Sequence, residues 1–523
     1  MRTAGIPLGC ACCSFNRRRF LAGAGAACAA AAVPLTGTAR AADTPPGKVR
    51  IRILYSLHAP KQNRPDWPNV GFDFQPVMEK FNKELADKLP NFEFVSSMAK
   101  GTDDAKKIVE QDKDAGIDGY LVYQMNCWNR VVQAVATSGK PTLYADFQYA
   151  GSGGFLVYTA AFLRAKAPNV GFVASSNFAD HVAAVRCFEI VKKGGTVQEF
   201  VAATAKARVA STPPCGDMAC KEDKLTCLSP ADCIKKMKES KILAVGGGWP
   251  GIAPKITEQM GIPVVNVPFK EVNEAWEQAD KDQSKALAER WKKNAAKVEG
   301  VEEDHILKAA AMYYGMKAVL AKHNADAITI NCLGGFYGKH IFAYPCLGFH
   351  ELCNEGLIGA CECDIRSTAT MVALKTLTQG RPGYISDPVI DTASHQIIYA
   401  HCVASNKVFG PKGSTNPYEI LTHSEDRQGA SLRSIMPEGF MTTTVEFGPD
   451  RKQILFHRAK AVGNSPDDRA CRTKLCGVPV GDIEKLFTEW DRWGWHRVTI
   501  FGDLKEPIFA LADALGWKVV EEA

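Results

Sequence analysis

Strong charge of one sign is missing from this sequence. The formal net charge is +6 over 523 residues, and five arginines ahead of residue 42 (Arg2, Arg17, Arg18, Arg19 and Arg40) supply most of it. The rest of the chain is near neutral and carries no clustered basic stripe, which removes the electrostatic reason to expect a nucleic-acid partner. A bilayer-spanning apolar run is missing near the start as well. The Ala-rich stretch from Leu21 to Pro34 is interrupted by Gly23, Gly25 and Pro34, and it falls short of the roughly 20 residues that a span needs. No G-x-x-x-x-G-K-[ST] loop occurs, so the glycine turn Gly246-Gly247-Gly248 is not read as a phosphate cradle. No H-E-x-x-H occurs, so a metal site has to be assembled from distant segments. Low hydrophobicity is absent too: 46% of residues are hydrophobic and 23% charged, which excludes a disordered chain.

What is present begins with an address. Asn16-Arg17-Arg18-Arg19-Phe20-Leu21 matches the twin-arginine pattern, with Asn where Ser or Thr is usual, and Ala39-Arg40-Ala41 offers a small-x-small cleavage site. Residues 1–42 are therefore read as an export signal handled by the Tat translocase, with no stable membrane anchor. The mature protein is expected in the periplasm or outside the cell.

The remaining length is too great for one core and suits about three domains of ordinary size. From residue 48, strands alternate with helices. Val49 to Tyr55, Phe92 to Val95, Gly119 to Tyr123 and Pro141 to Ala145 read as strands, with helical spacing between them. Such alternation predicts a parallel, doubly wound sheet, whose ligands bind beyond the carboxyl ends of the strands. Residues 48–165 are assigned to one Rossmann-like domain and 166–332 to a second. The second takes strands at Val170 to Val173, Ile242 to Val245, Pro263 to Val267 and Ala327 to Asn331, with long helices from Asn273 to Lys297 and from Asp304 to His323. The region 333–523 changes character. Short β-like runs at His395 to Ala400, Gly439 to Phe447 and Lys452 to His457 are separated by Gly, Pro and Asn turns, which predicts an antiparallel barrel or sandwich.

Four of the eighteen cysteines (Cys10, Cys12, Cys13 and Cys28) lie in the leader. Cys215, Cys220, Cys227 and Cys233 sit in a Pro/Lys/Asp-rich insertion, 211–235, without the tight C-x₂-C pairs of zinc knuckles. Disulfides stapling an inserted loop are the preferred reading in an exported protein, with Cys471 and Cys476 as a second pair.

The stretch Gly359-Ala-Cys-Glu362-Cys-Asp364 precedes an apolar segment. Asp387 closes a short apolar run before Pro388, so it is expected at a strand end. His496 stands ahead of the apolar Val498-Thr-Ile-Phe501. Glu362, Asp387 and His496 together offer two carboxylates and one imidazole, a donor set that suits Mn²⁺ or Mg²⁺ better than a closed zinc site. Taken singly, such residues are more often solvated or cap a helix. His401 and His423 each follow a strand or loop and are candidates for a pocket lining, with a core or surface role of equal weight.

Four segments in order resemble the L-fucose isomerase/L-arabinose isomerase superfamily, fucose branch. They are Leu333-Gly-Gly-Phe-Tyr337-Gly-Lys339-His through Tyr344-Pro345, Ala360-Cys-Glu-Cys-Asp364, Ile385-Ser-Asp387, and His496-Arg-Val-Thr-Ile-Phe-Gly502. The resemblance covers residues 331–406 and 490–522. Departures fall at Tyr337, Lys339 and His340, at Cys363, at Arg497 and at Asp503. The resemblance implies an α/β fold of two Rossmann-like doubly wound domains followed by a C-terminal α+β domain with an antiparallel β-barrel. It further implies Glu362, Asp387 and His496 as metal ligands, with Glu362 and Asp387 also the acid/base pair. Tyr337, Lys339 and His401 are taken as substrate-binding. The implied activity is aldose–ketose isomerisation of a monosaccharide through a cis-enediol, with Mn²⁺ or another divalent cation, in a homo-trimer or homo-hexamer. Two other classes remain open. One is an exported sugar-binding protein without turnover. The other is a metal-dependent epimerase or lyase on sugar acids, for which Lys339, Arg366 and Arg381 are possible carboxylate partners.

Overall fold

The computed structural model describes residues 47–248 and 251–523. The twin-arginine leader assigned to residues 1–42 lies outside the described residues. The chain divides into two units, one running to Pro213 and taking in Asp391–Ser394, the other made of Pro214–Ile390 and His395–Ala523. Among the described residues no helix is long and apolar enough to cross a membrane.

In the smaller unit, β1 (Val49–Ser56), β2 (Phe92–Ala99), β3 (Gly119–Gln124), β4 (Thr142–Asp146) and β5 (Val170–Val173) form one sheet in the order β2-β1-β3-β4-β5. Every ladder is parallel, with Ile51 opposite Gly119 and Leu143 opposite Gly171. The intervening helices bury Ile51, Ile53, Leu121, Leu143 and Ala145 together, as a sheet covered on both faces requires. Val170 to Val173 completes this sheet instead of opening the next one. The loops after β1 and β3 meet at its carboxyl end, where the His58 backbone N–H donates to Asn126 Oδ1 at 2.9 Å.

The larger unit runs through β6 (Ile242–Val245), β7 (Val264–Val267), the short β8 (Lys297–Val298), β9 (Ala327–Ile330) and β10 (Ile358–Ala360). A second parallel sheet has the order β10-β9-β6-β7. The single long helix expected from Asn273 to Lys297 is two helices, Phe269–Glu277 and Lys281–Asn294. Asp280 breaks the run because its carboxylate accepts from the Gln283 N–H and caps the second helix. After β6 the chain reads G-x-G-x-x-G at Gly246, Gly248 and Gly251, a dinucleotide-type spacing. The acid about 20 residues on, Glu271, sits in helix Phe269–Glu277 and is spent on Lys322 and His323.

Beyond β10 come β11 (Tyr384–Asp391), β12 (Gln396–His401), β13 (Tyr418–Leu421), β14 (Ser431–Ser434), β15 (Met441–Gly448), β16 (Gln453–Asn464), β17 (Thr473–Pro479), β18 (Arg497–Phe501) and β19 (Lys518–Glu521). The order β15-β18-β11-β12-β17-β16 closes through a β15–β16 ladder into a six-stranded antiparallel barrel. Closure leaves no free edge in the ring.

Helix Ile365–Leu377 is the central element of this unit. Nearly all of its residues are buried, and it packs on β6, β9 and β10 as well as on β15 and β18. Its polar side chains are paired where they are buried, Ser367 with Glu446 and Lys375 with Asp326. Met371, Val372, Leu374 and Leu377 lie with Ile358, Ile385, Val445, Val498 and Ile500, each large side chain adding roughly 1.5–3 kcal/mol of burial. The helix N-terminus is thereby fixed between the parallel sheet and the barrel.

None of the fourteen cysteines among the described residues forms a disulfide, which corrects the disulfide expectation. Cys215, Cys220, Cys227 and Cys233 are unpaired, and Cys233 is buried in the core with Met237. A different device holds the insertion: Asp223 accepts two bonds from the buried Arg381 guanidinium at 2.5 and 2.7 Å. Cys471 and Cys476 do not pair either. Cys476 sits in β17 opposite Ile398, while Cys471 precedes the strand and meets Ser424.

Candidate metal centre

Three structural features bring the acidic and imidazole groups together. At the carboxyl end of β10 the chain turns sharply, with Glu362 at φ 60° and Cys363 at φ 51°. Two successive left-handed residues other than glycine are costly, and such strain persists where the surroundings fix it. The turn separates the two neighbouring thiols instead of aligning them: Cys361 faces Cys332, with sulfurs 3.2 Å apart, while Cys363 joins the core beside Ile365. Asp364 then caps the buried helix, accepting from Ser367 N–H at 3.0 Å. Carboxylates at a helix N-terminus are favoured by its dipole.

The barrel supplies the other groups. Asp387 lies within β11, not at its end. Pro388 is tolerated there because pairing with β18 stops at Ser386. In that ladder Ile385 faces Val498 and Ser386 faces Arg497. Carried one step further, the antiparallel register sets Asp387 opposite His496. Their Oδ1 and Nε2 atoms are 3.0 Å apart.

Ligand atoms of Glu362, Asp387 and His496 all lie within 4.8 Å of one another. His496 Nε2 is 3.5 Å from Glu362 Oε2. Neither Asp387 Oδ1 nor His496 Nε2 makes an aligned hydrogen bond, although both are buried. Buried polar atoms left so are rare and expensive, and three carboxylates around one imidazole leave an excess of negative charge. Both facts fit a divalent cation between them. The opposite ring nitrogen is occupied: His496 Nδ1 donates to Asp364 Oδ2 at 2.9 Å. That carboxylate fixes the tautomer with Nε2 free to ligate, a common support for metal-binding histidines.

Charge is held tightly here. Burial, the largest influence, pushes Asp364 up, but the bond and charge of His496, the Ser367 N–H and the Arg366 charge together outweigh it and keep the carboxyl down at about 2. Asp387 is likewise opposed by burial and held well below the usual carboxylate range by His401 and His496. His496 is raised well above its ordinary value, burial working against the charge and Asp364, Asp387 and Glu362 overcoming it, so a cation bound at Nε2 would displace a proton from that nitrogen. Behind Asp364, Glu446 accepts from Ser367 at 3.1 Å. Burial, then the Asp364 charge, raises its carboxyl to about 8, so it is protonated at neutral pH.

Of the other sequence candidates, His401 is at the centre. It is buried, with Nδ1 3.2 Å from Asp387 Oδ2. Tyr337 and Lys339 are not part of the triangle. Tyr337 ends the short helix Cys332–Tyr337 and Lys339 follows its Gly338 cap, while the first residue of that helix touches the site through Cys332 Sγ and the Glu362 N–H. Tyr337 is 41% exposed and donates to Glu425 Oε2 at 2.7 Å, and Lys339 is exposed. Arg381 is engaged by Asp223 and Arg366 by the Trp493 carbonyl, which removes Arg381 as a free partner for a substrate carboxylate. Arg497, one of the departures from the family pattern, is buried against Trp490 and bonded to Glu522 at 2.8 Å. Sequence reasoning left Asp364, Glu446 and the thiols of Cys332 and Cys402 without roles, and assigned Cys471 to a disulfide. The only signal for Asp364 was its place as a helix cap.

No family model matches the chain. It is similar to curated proteins named sulfoquinovose isomerase. The protein of Alkalicoccus urumqiensis is 25% identical over 153 residues, 29% of this chain and 30% of the relative. That of Priestia megaterium is 23% identical over 240 residues, 44% of this chain and 52% of the relative. That of Clostridium sp. is 24% identical over 226 residues, 39% and 46%. The chain therefore spans about half the length, or less, of the curated relatives it matches. Among solved structures, a sugar ABC transporter protein of Yersinia enterocolitica is 10% identical over 56% of this chain and 69% of that one, with a TM-score of 0.17, too low to carry an argument.

Proposed function

We propose that the chain is an exported, metal-dependent aldose–ketose isomerase that moves a proton between C1 and C2 of a monosaccharide through a cis-enediol. The observation that carries this is the buried triangle of Glu362, Asp387 and His496, with Asp387 Oδ1 and His496 Nε2 lacking aligned partners. The shared name of the distant relatives points to the same class of reaction.

Glu362, Asp387 and His496 would hold a Mn²⁺ or Mg²⁺ ion, which would supply Lewis acidity towards sugar oxygens and so acidify the carbon proton. The chain's own groups divide the remaining work. Asp387, with its side chain 3% exposed and an imidazole at each oxygen, is the anchored carboxylate. Glu362 is more open, at 14%, and is the better placed of the two to take the proton from one carbon and return it to the other. Asp364 orients His496. Tyr337 and Lys339 stand on the exposed end of the neighbouring helix, where sugar hydroxyls or an anionic group would be met. Export rests on Asn16 to Leu21, and assembly as a homo-trimer or homo-hexamer rests on the family resemblance.

The test is hydrogen exchange at C2 in deuterated water, with Mn²⁺-loaded protein and a panel of neutral aldoses, uronic acids and sulfoquinovose. Metal-dependent exchange that Glu362→Gln abolishes is the expected result and names the substrate class. Binding of metal and sugar without exchange from any member of the panel overturns the isomerase reading in favour of a binding protein. Full activity in Asp387→Ala overturns the ligand assignment.

A further inference from the structure

Asp387 does not face one imidazole but two. Its Oδ1 lies 3.0 Å from His496 Nε2, and its Oδ2 lies 3.2 Å from His401 Nδ1. On the His401 side stands a thiol: ligand atoms of Asp387, His401 and Cys471 lie within 4.8 Å of one another, and all three residues are buried. We propose that these residues form a second divalent-cation site, softer than the first and sharing the Asp387 carboxylate as a bridge. The proposal rests on the reading of Glu362, Asp387 and His496 as a cation site.

The two donor sets differ in kind. The first offers two carboxylates and an imidazole, and so suits a hard ion. The second replaces a carboxylate by sulfur, which selects Zn²⁺, Co²⁺ or Cd²⁺ over Mn²⁺ and Mg²⁺. His401 Nδ1 is an independent pointer. It is buried, only 1% of its side chain is exposed, and it makes no aligned hydrogen bond. An ion pair with Asp387 alone would account for its nearness but not for the thiol beside it. Cys471 is placed by Ser424, whose hydroxyl donates to Cys471 Sγ at 3.6 Å and accepts from Cys402 Sγ at 3.6 Å. The site is therefore built from the middle of β11, the end of β12 and the segment leading into β17. Cys361, Glu362 and His401 also converge within the same limit, but that set takes Glu362 from the first site, whereas the Cys471 set leaves it in place. Two cations bridged by one carboxylate clamp both oxygens of a reacting pair.

Co²⁺ titration of the full, mature chain decides it, followed by visible absorption and by metal content per chain. The expected result is two Co²⁺ ions per chain and a near-ultraviolet thiolate-to-cobalt charge-transfer band. Cys471→Ser and His401→Gln should each remove the band and one ion, and Cys361→Ser should change neither. A single ion without the band, or a band that survives Cys471→Ser and is lost in Cys361→Ser, overturns the proposal. Should Cys471→Ser fail to fold, the wild-type stoichiometry and Cys361→Ser decide between the same two outcomes, since a band kept in Cys361→Ser leaves Cys471 as the thiol and a band lost there overturns the proposal. One ion that is lost in His496→Asn but kept in Cys471→Ser sinks the second site and leaves the isomerase reading standing. No bound ion at all sinks both.

Discussion

Replacing Asp364 by Asn separates two jobs that one carboxylate performs. Oδ1 accepts from the Ser367 N–H at 3.0 Å and caps helix Ile365–Leu377, while Oδ2 accepts from His496 Nδ1 at 2.9 Å. Asn caps a helix about as well as Asp, so the helix start survives in Asp364→Asn. The amide NH₂ that replaces Oδ2 is a donor, and it demands the lone pair of Nδ1. The imidazole proton then moves to Nε2, the atom aimed at Glu362 and Asp387. Loss of such an outer carboxylate typically costs roughly 10–100-fold in metal affinity, about 1.4–2.7 kcal/mol. The reversed tautomer puts this variant at the upper end. Asp364→Ala loses the cap as well, about 1 kcal/mol of stability, and leaves a buried ring nitrogen without its acceptor, roughly 1–3 kcal/mol more. Calorimetric titration with Mn²⁺ and melting in chelator measure the two quantities separately. The expected pattern is weak metal binding with near-native melting for Asn, and loss of both for Ala. Mn²⁺ affinity in Asp364→Asn within about threefold of wild type, under half the smallest loss usual for an outer partner, would refute the tautomer argument.

Glu446 makes stability depend on pH. Its folded carboxyl titrates near 8, above its unfolded value, so the stabilisation is complete below the unfolded carboxylate range and is lost as pH rises through about 8. The decline reaches at most roughly 1.4 kcal/mol per pH unit within that window. Glu446→Gln should flatten it in urea melts at about pH 5, 7 and 9. Arg381→Ala should cost about 3 kcal/mol, the lower end for breaking a buried pair, because the Asp223 side chain keeps 16% exposure. Limited proteolysis should then cut within 214–229 sooner, and unchanged proteolysis counts against a stapling role. Chelation should lower the melting point of metal-loaded protein, an ion at about 100 times its dissociation constant being worth roughly 2.7 kcal/mol. His496→Ala should erase that difference.

Local signals carried much of the architecture. Strand–helix alternation from Val49 to Ala145 is legible because the central strands β3 and β4 are buried throughout and read as short apolar runs, while β1 alternates apolar residues with Arg50 and Arg52. Glu362, Asp387 and His496 stood out because each abuts such a run, and the order of their segments resembled a known family. The limits were equally physical. Cys471 and Cys476 are close in sequence, but one belongs to a strand and the other precedes it, so proximity along the chain did not make a pair. The Asp223–Arg381 staple joins residues too far apart in sequence for any periodicity to link them. Asp387 was expected at a strand end because Pro388 follows, and only the ladder shows that the β18 partner has already stopped.

The sequence by itself determined which groups were available: two carboxylates and an imidazole at element edges, a polar turn before an apolar helix, and strands enough for two sheets and a barrel. The tertiary structure decided what those groups do together. Register between β11 and β18 set Asp387 against His496, burial of helix Ile365–Leu377 fixed Asp364 behind the imidazole, and the neighbouring order β11-β12-β17 brought His401 and Cys471 to the other side of Asp387. Distances of a few ångströms between residues more than a hundred positions apart are properties of packing, and no local pattern encodes them.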